Sequence, residues 1–189
     1  MLNAPRFDQE ARPSFVARAF GLDGAAEALV AALFAESLQA AGFDGATAVA
    51  RLDAGEPPSR ALGVPDRALS AIHARAHRWF AVGHIEKAED LFRALCFLDP
   101  DNRESAAGYA ICLKERGFPE AAEAAFEFVR ARHPDWATPY LHLAEIALSR
   151  RARDVAARML DAFETRVADD GATTLLQRSR ALRAAIDGP

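Results

Sequence analysis

The chain has 189 residues, 51% hydrophobic and 26% charged, with a formal net charge of −4 and two cysteines; its mean hydropathy is −0.08 and its isoelectric point is near 5.7. Apolar and charged residues are interleaved, as amphipathic helices require. An acidic balance without a basic patch argues against nucleic acid and anionic membrane as main partners.

Residues 1–20 show no clear periodicity and read as loosely ordered or as one short helix. Met1 to Pro13 carries Arg6, Asp8, Glu10 and Arg12 without an apolar core, so it does not read as a secretory signal. From Asp23 to Ala41, Leu29, Leu33, Phe34 and Leu38 recur at helical spacing. Gly42 ends that helix and Asp44 caps a second one running to about Ala54. The apolar run Ala28 to Phe34, flanked by Glu27 and Glu36, is too short to span a bilayer. Gly55-Glu56-Pro57-Pro58 breaks the chain before a small turn with Ala61 and Leu62, and Val64-Pro65-Asp66 signals the next helix start.

Three helix pairs follow, and like residues in them stand 34 positions apart. Ala76, Ala110 and Ala144 fall in register, as do Ala88, Ala122 and Ala156; Gly83 matches Gly117, Pro100 matches Pro134, and Phe92 matches Phe126 and then Leu160. This period, with small, aromatic and punctuating residues at fixed offsets, is the signature of the tetratricopeptide helix–turn–helix repeat. The predicted helices are Asp66 to Val82 with Ile85 to Leu98, Arg103 to Arg116 with Glu120 to Arg132, and Thr138 to Ser149 with Asp154 to Val167. Alanine at the eighth and twentieth positions of each unit lets paired helices approach closely. In the third unit Arg151 replaces the glycine and Ala168 the proline, a degeneracy expected at the end of an array. A last helix, Thr173 to Ile186, reads as a cap with one wet face, carrying Arg178, Arg180 and Arg183. The expected fold is an all-α solenoid of three repeats. Residues 1–20 form a loose N-terminus, 21–64 a helical segment, 65–170 the repeats and 171–189 the capping helix.

Cys96 and Cys112 lie among apolar neighbours in predicted helices and read as buried free thiols. There is no phosphate loop, HExxH, paired CxxC or nucleophile elbow, so neither an enzyme nor a cofactor is expected. His73 and His77 share a helix face at i,i+4, but zinc needs three or four ligands, and His84 and Cys96 are poorly spaced to join them. No metal site is expected.

Such repeats line their concave side with the second, fifth, ninth and twelfth positions of each first helix. Here those are Ser70, His73, His77 and Phe80; Glu104, Ala107, Ile111 and Lys114; and Thr138, Leu141, Glu145 and Leu148. The result is a largely apolar channel with Lys114 and Glu145 as its polar points, suited to an extended peptide with a few apolar anchors. It lacks the paired Lys and Arg of a carboxylate clamp. Phe92, Phe126 and Leu160 also read as packing residues in any such repeat, as do Trp79 and Leu113. Ile111 and Leu141 are open to cover by the N-terminal helix as well as by a ligand. Glu86, Lys87, Glu89 and Asp90 read as a solvated outer face.

The stretch Leu69 to Pro100, LSAIHARAHRWFAVGHIEKAEDLFRALCFLDP, resembles the class II chaperones of type III secretion systems, tetratricopeptide-repeat proteins that hold hydrophobic translocators in the bacterial cytoplasm. Ala88 to Pro100 is the most specific part; Cys112, the string His142-Leu143-Ala144-Glu145 and the lead-in Leu52 to Val64 also fit, and the likeness runs to Ile186. The resemblance implies a groove for an extended Pro-x-Leu-x-x-Pro-like segment, with roles for His73, His77, Phe80, Ile85, Leu98, Tyr109 and Phe126. Ile111, Lys114, Leu141 and Glu145 complete the expected peptide-binding set. His73 and His77 stand where the family usually has aromatic rings, and Ile85 where tyrosine is common. The chain itself reads as cytoplasmic, and the apolar stripe of the helix Asp23 to Ala41 exceeds what one repeat end can bury, which makes it the expected homodimer element; with no nucleotide implied, release is expected by competition at the secretion machinery. The alternative is a general repeat scaffold joining folded proteins.

Overall fold

A computed structural model of the chain describes residues 14, 15, 17, 21 and 24–188, apart from 168–172. Every element among them is a helix. In order these are α1 (Gly24–Ala40), α2 (Gly45–Asp53), α3 (Pro58–Ala61), α4 (Asp66–Ala81), α5 (Ile85–Leu98), α6 (Arg103–Glu115), α7 (Pro119–Arg132), α8 (Thr138–Ser149), α9 (Arg153–Glu164) and α10 (Thr173–Asp187). The chain divides into a first unit ending at Pro65 and a second beginning at Asp66. The replacement of the repeat's proline by Ala168 and most of the segment 1–20 lie outside the described residues.

In the first unit, α1 packs on α2, whose Ala48 and Leu52 are both 2% exposed. Asp44 caps α2: its side chain accepts from the Thr47 amide at 3.1 Å and from the Thr47 hydroxyl at 2.8 Å. Gly45 is needed for the close approach, because a Cβ there would fall on the Ala35 carbonyl. Leu29 and Leu33 remain 63% and 51% exposed along α1.

The second unit is the repeat array. Helices α4/α5, α6/α7 and α8/α9 form the three hairpins, each stacked on the next, and α10 packs on α8 and α9. Ala76, Ala88, Ala110, Ala122, Ala144 and Ala156 are all fully buried, as their place at the helix seams demands. Phe92 and Phe126 are buried against the following hairpin, at Gly108 and His142, and Leu160 is buried in the cluster on which α10 packs. Phe92 lies so close to α6 that a Cβ on Gly108 would sit 2.6 Å from its ring. Gly83 and Gly117 make the intra-hairpin turns at φ +82° and +80°, and Arg151 takes the same left-handed conformation at φ +60°.

Two expectations are corrected. The third hairpin's second helix stops at Glu164 rather than Val167. The Thr165 hydroxyl and the Arg166 guanidinium both bond the Ala162 carbonyl, at 3.0 and 2.8 Å, which the Arg166 amide would otherwise take. That amide turns to the Phe163 carbonyl instead, at 2.9 Å. Glu89 is not on a solvated face but buried, with Arg116 of the next hairpin donating to it at 2.6 Å while also meeting Glu86 at 3.2 Å. One repeat later Arg150 meets Glu123 and Glu120 in the same way. These ion pairs translate with the 34-residue period and join neighbouring hairpins.

Candidate functional site

The first helices of the hairpins, α4, α6 and α8, carry the inner face of the array. On α4 the histidine pair sits over the core aromatic Phe92. The His73 and His77 rings lie 4.6 Å apart edge to face, and each meets Phe92 edge-on, at 5.8 and 5.2 Å. His73 is half-buried with its Nε2 enclosed and without a hydrogen-bond partner among the described residues. His77 stands at the exposed rim. Burial and the neighbouring His73 push its pKa below the usual histidine value, while Glu104 opposes the shift. The lowered pKa favours the neutral form of the His77 ring.

Phe80, Ile85 and Tyr109 are half-buried against the first hairpin's core, and Tyr109 and Ile111 also border the second. Leu98 is half-buried at the end of α5. Each of these keeps part of its apolar surface uncovered. Phe126 and Leu141 do not: both are fully buried. Phe126 is stacked on His142, with ring centroids 4.8 Å apart. Leu141 belongs to the cluster of Leu160 and Phe163, on which Leu175, Leu176, Leu182 and Ile186 of α10 pack. The capping helix packs on the cluster that holds Leu141.

Lys114 and Glu145 meet across α6 and α8 at 2.6 Å. Arg178 of α10 reaches the other oxygen of the same carboxylate, and His142 Nδ1 stands 3.1 Å from both Glu145 and Lys114. Burial alone would raise the Glu145 carboxyl, but hydrogen bonds from His142 and Lys114 outweigh it and hold the group down to about 2. Burial pushes His142 below the usual histidine value, against its bond to Glu145. The network pins α10 to the third hairpin. The sequence contained Arg178 and His142, but no local pattern ties them to residues on other helices.

Burial pushes the Cys96 thiol up to about 11 and the Cys112 thiol to about 12, so neither is a ready nucleophile. Among the described residues no three His, Cys, Asp or Glu side chains are grouped to hold a metal ion. Among them, too, no helix is long and apolar enough to cross a membrane.

The fold is an all-helical solenoid of the tetratricopeptide-repeat kind. No protein-family model and no curated protein matches the chain. Among solved structures it is similar to the type III secretion translocator chaperone SycD of Yersinia enterocolitica, with a TM-score of 0.64 at 19% identity over 68% of this chain and 98% of that one. SycD in complex with a peptide of the translocator YopD gives 0.60 and 21%, over 65% and 95%. PcrH from Pseudomonas aeruginosa gives 0.61 and 21%, over 66% and 96%. The chain shares the helical fold of these proteins across nearly their whole length.

Proposed function

We propose that this chain is a cytoplasmic chaperone of a bacterial type III secretion system, and that it holds a hydrophobic translocator protein soluble until export. The observation that carries the reading is the inner face itself: flat rings and aliphatic side chains, half-buried or exposed and able to take more cover, on a fold shared with a chaperone whose structure includes a translocator peptide. A translocator exposes long apolar stretches that seek burial. An extended segment of the Pro-x-Leu-x-x-Pro type seats its anchors against Phe80, Ile85, Tyr109 and Ile111, each anchor contributing about 1.5–3 kcal/mol. The preformed array keeps ordering costs on the chaperone side low. His73 and His77 supply flat walls in place of the usual aromatics. The protein acts by binding, without catalysis or cofactor, and release follows competition at the secretion machinery. A homodimer formed through α1 covers the exposed Leu29 and Leu33.

Co-expression with a secreted protein of the same genome that carries long apolar segments tests this. The expected result is recovery of that protein in the soluble fraction, in fixed ratio with this chain. Its precipitation in the chain's presence overturns the reading.

A further inference from the structure

The groove's first-hairpin end carries an acidic rim that apolar anchoring does not use. The start of α4, the end of α5 and the start of α6 enclose an open cleft of about 370 Å³. Leu69, Ala74 and Leu95 give it an apolar floor, and Asp66, Asp99 and Glu104 give it three carboxylates. Among the described residues no lysine or arginine lines it. Arg103, next to Glu104 in sequence, places its guanidinium over the Trp136 ring, 5.0 Å from the centroid. The acidic residues of the hairpin junctions, Glu89 and Glu123, are each met by an arginine. Among the described residues the three cleft carboxylates have neither an ion-pair nor a hydrogen-bond partner.

Three like charges gathered over an apolar floor repel one another and raise the attraction for a cation that reaches them. Lysine and arginine combine an apolar stem with a charged head, which is the chemistry of floor and rim together. Ser70 and His73 line the same cleft and also lie on the groove face, so the two sites are continuous.

Building on the groove reading above, we propose that this cleft is a specificity subsite for a lysine or arginine of the bound segment. The basic residue lies within about three residues, roughly 10 Å of extended chain, of an apolar anchor. Its stem rests on Leu69 and Leu95, and its head group is held by Asp99 and Glu104. The occupant is thus an extended polypeptide segment with a basic residue beside its apolar anchors.

The test is selection of random 12-residue peptides displayed on phage against the full chain and against the double variant Asp99→Asn, Glu104→Gln. Both residues are outside the buried core, and circular dichroism checks that the variant folds. The wild-type chain is expected to enrich peptides pairing an apolar anchor with Lys or Arg. The variant is expected to enrich the apolar anchor without the basic residue. For a peptide selected by the wild type, affinity by calorimetry is expected to fall about fivefold in the variant, and to fall between 50 and 500 mM NaCl for the wild type alone. Apolar peptides with no basic preference, or equal salt dependence in both proteins, overturn the subsite and leave the groove standing. Failure to enrich any apolar peptide counts against the groove itself. Should the variant not fold, salt-independent binding of the selected peptide by the wild type overturns the subsite.

Discussion

Replacing Glu145 by glutamine removes the carboxylate shared by Lys114, His142 and Arg178. Removing one partner of a fully buried pair costs about 3–5 kcal/mol. Here the Lys114 and Glu145 side chains keep 18% and 17% of their exposure and Arg178 keeps 43%, so the expected cost is about 2 kcal/mol. The depression of the carboxyl from 4.5 to about 2 corresponds to about 3 kcal/mol at full value, an upper bound on the same quantity. Because the folded-state pKa lies below the unfolded one, this contribution is fully present above about pH 4.5 and is lost as pH falls toward 2. Urea unfolding followed by far-ultraviolet circular dichroism, at pH 7.5 and 3.5, measures it. The variant should be about 2 kcal/mol less stable at pH 7.5, with roughly half of that gap gone at pH 3.5. Hydrogen exchange should quicken first in α10. A variant within about 0.5 kcal/mol of wild type at pH 7.5, or a gap unchanged by acid, refutes the reasoning.

Gly108→Ala would set a methyl 2.6 Å from the Phe92 ring; thermal unfolding should show a loss of about 1–3 kcal/mol. Arg151→Gly relieves a left-handed non-glycine residue at φ +60°, and the same measurement should show a gain of about 1 kcal/mol. His142 and His77 are both held below the usual histidine value, mainly by burial. Their folded-state contribution is therefore present above about pH 6.5 and declines below it. Stability measured from pH 7.5 to 5 should fall, and His142→Gln should flatten that slope. His77→Glu places a charge in the groove beside Glu104 and should weaken capture of an apolar peptide at least about tenfold, with the helical spectrum unchanged; calorimetry with a phage-selected peptide measures it.

The 34-residue register made the hairpins legible from sequence, since alanine at a helix seam and glycine at a left-handed turn are local demands that composition records. Helix ends were legible where a cap or glycine marked them, and less so at Glu164, where two side chains compete for one carbonyl. Glu89 was misread because a single-helix reading does not see the arginine of the next hairpin. Yet Glu86 with Glu120, Glu89 with Glu123 and Arg116 with Arg150 do repeat in register. Leu141 occupies a groove position by count and Phe126 by family resemblance, but their accessibility depends on what stacks above them: the α10 cluster in the first case and the His142 ring in the second. The acidic cleft was illegible because Asp66, Asp99 and Glu104 come from the ends of three helices, and only the stacking brings them together.

Photo-cross-linking of a chaperone–translocator complex tests the binding face most directly. A benzophenone amino acid replaces His77 on the inner face in one protein and Phe97, 52% exposed on α5, in another. Mass spectrometry of the irradiated complexes should map adducts from position 77 to one apolar stretch of the translocator and none from position 97. Adducts from position 97 with none from 77 would place the partner on the opposite side of the array and contradict the account.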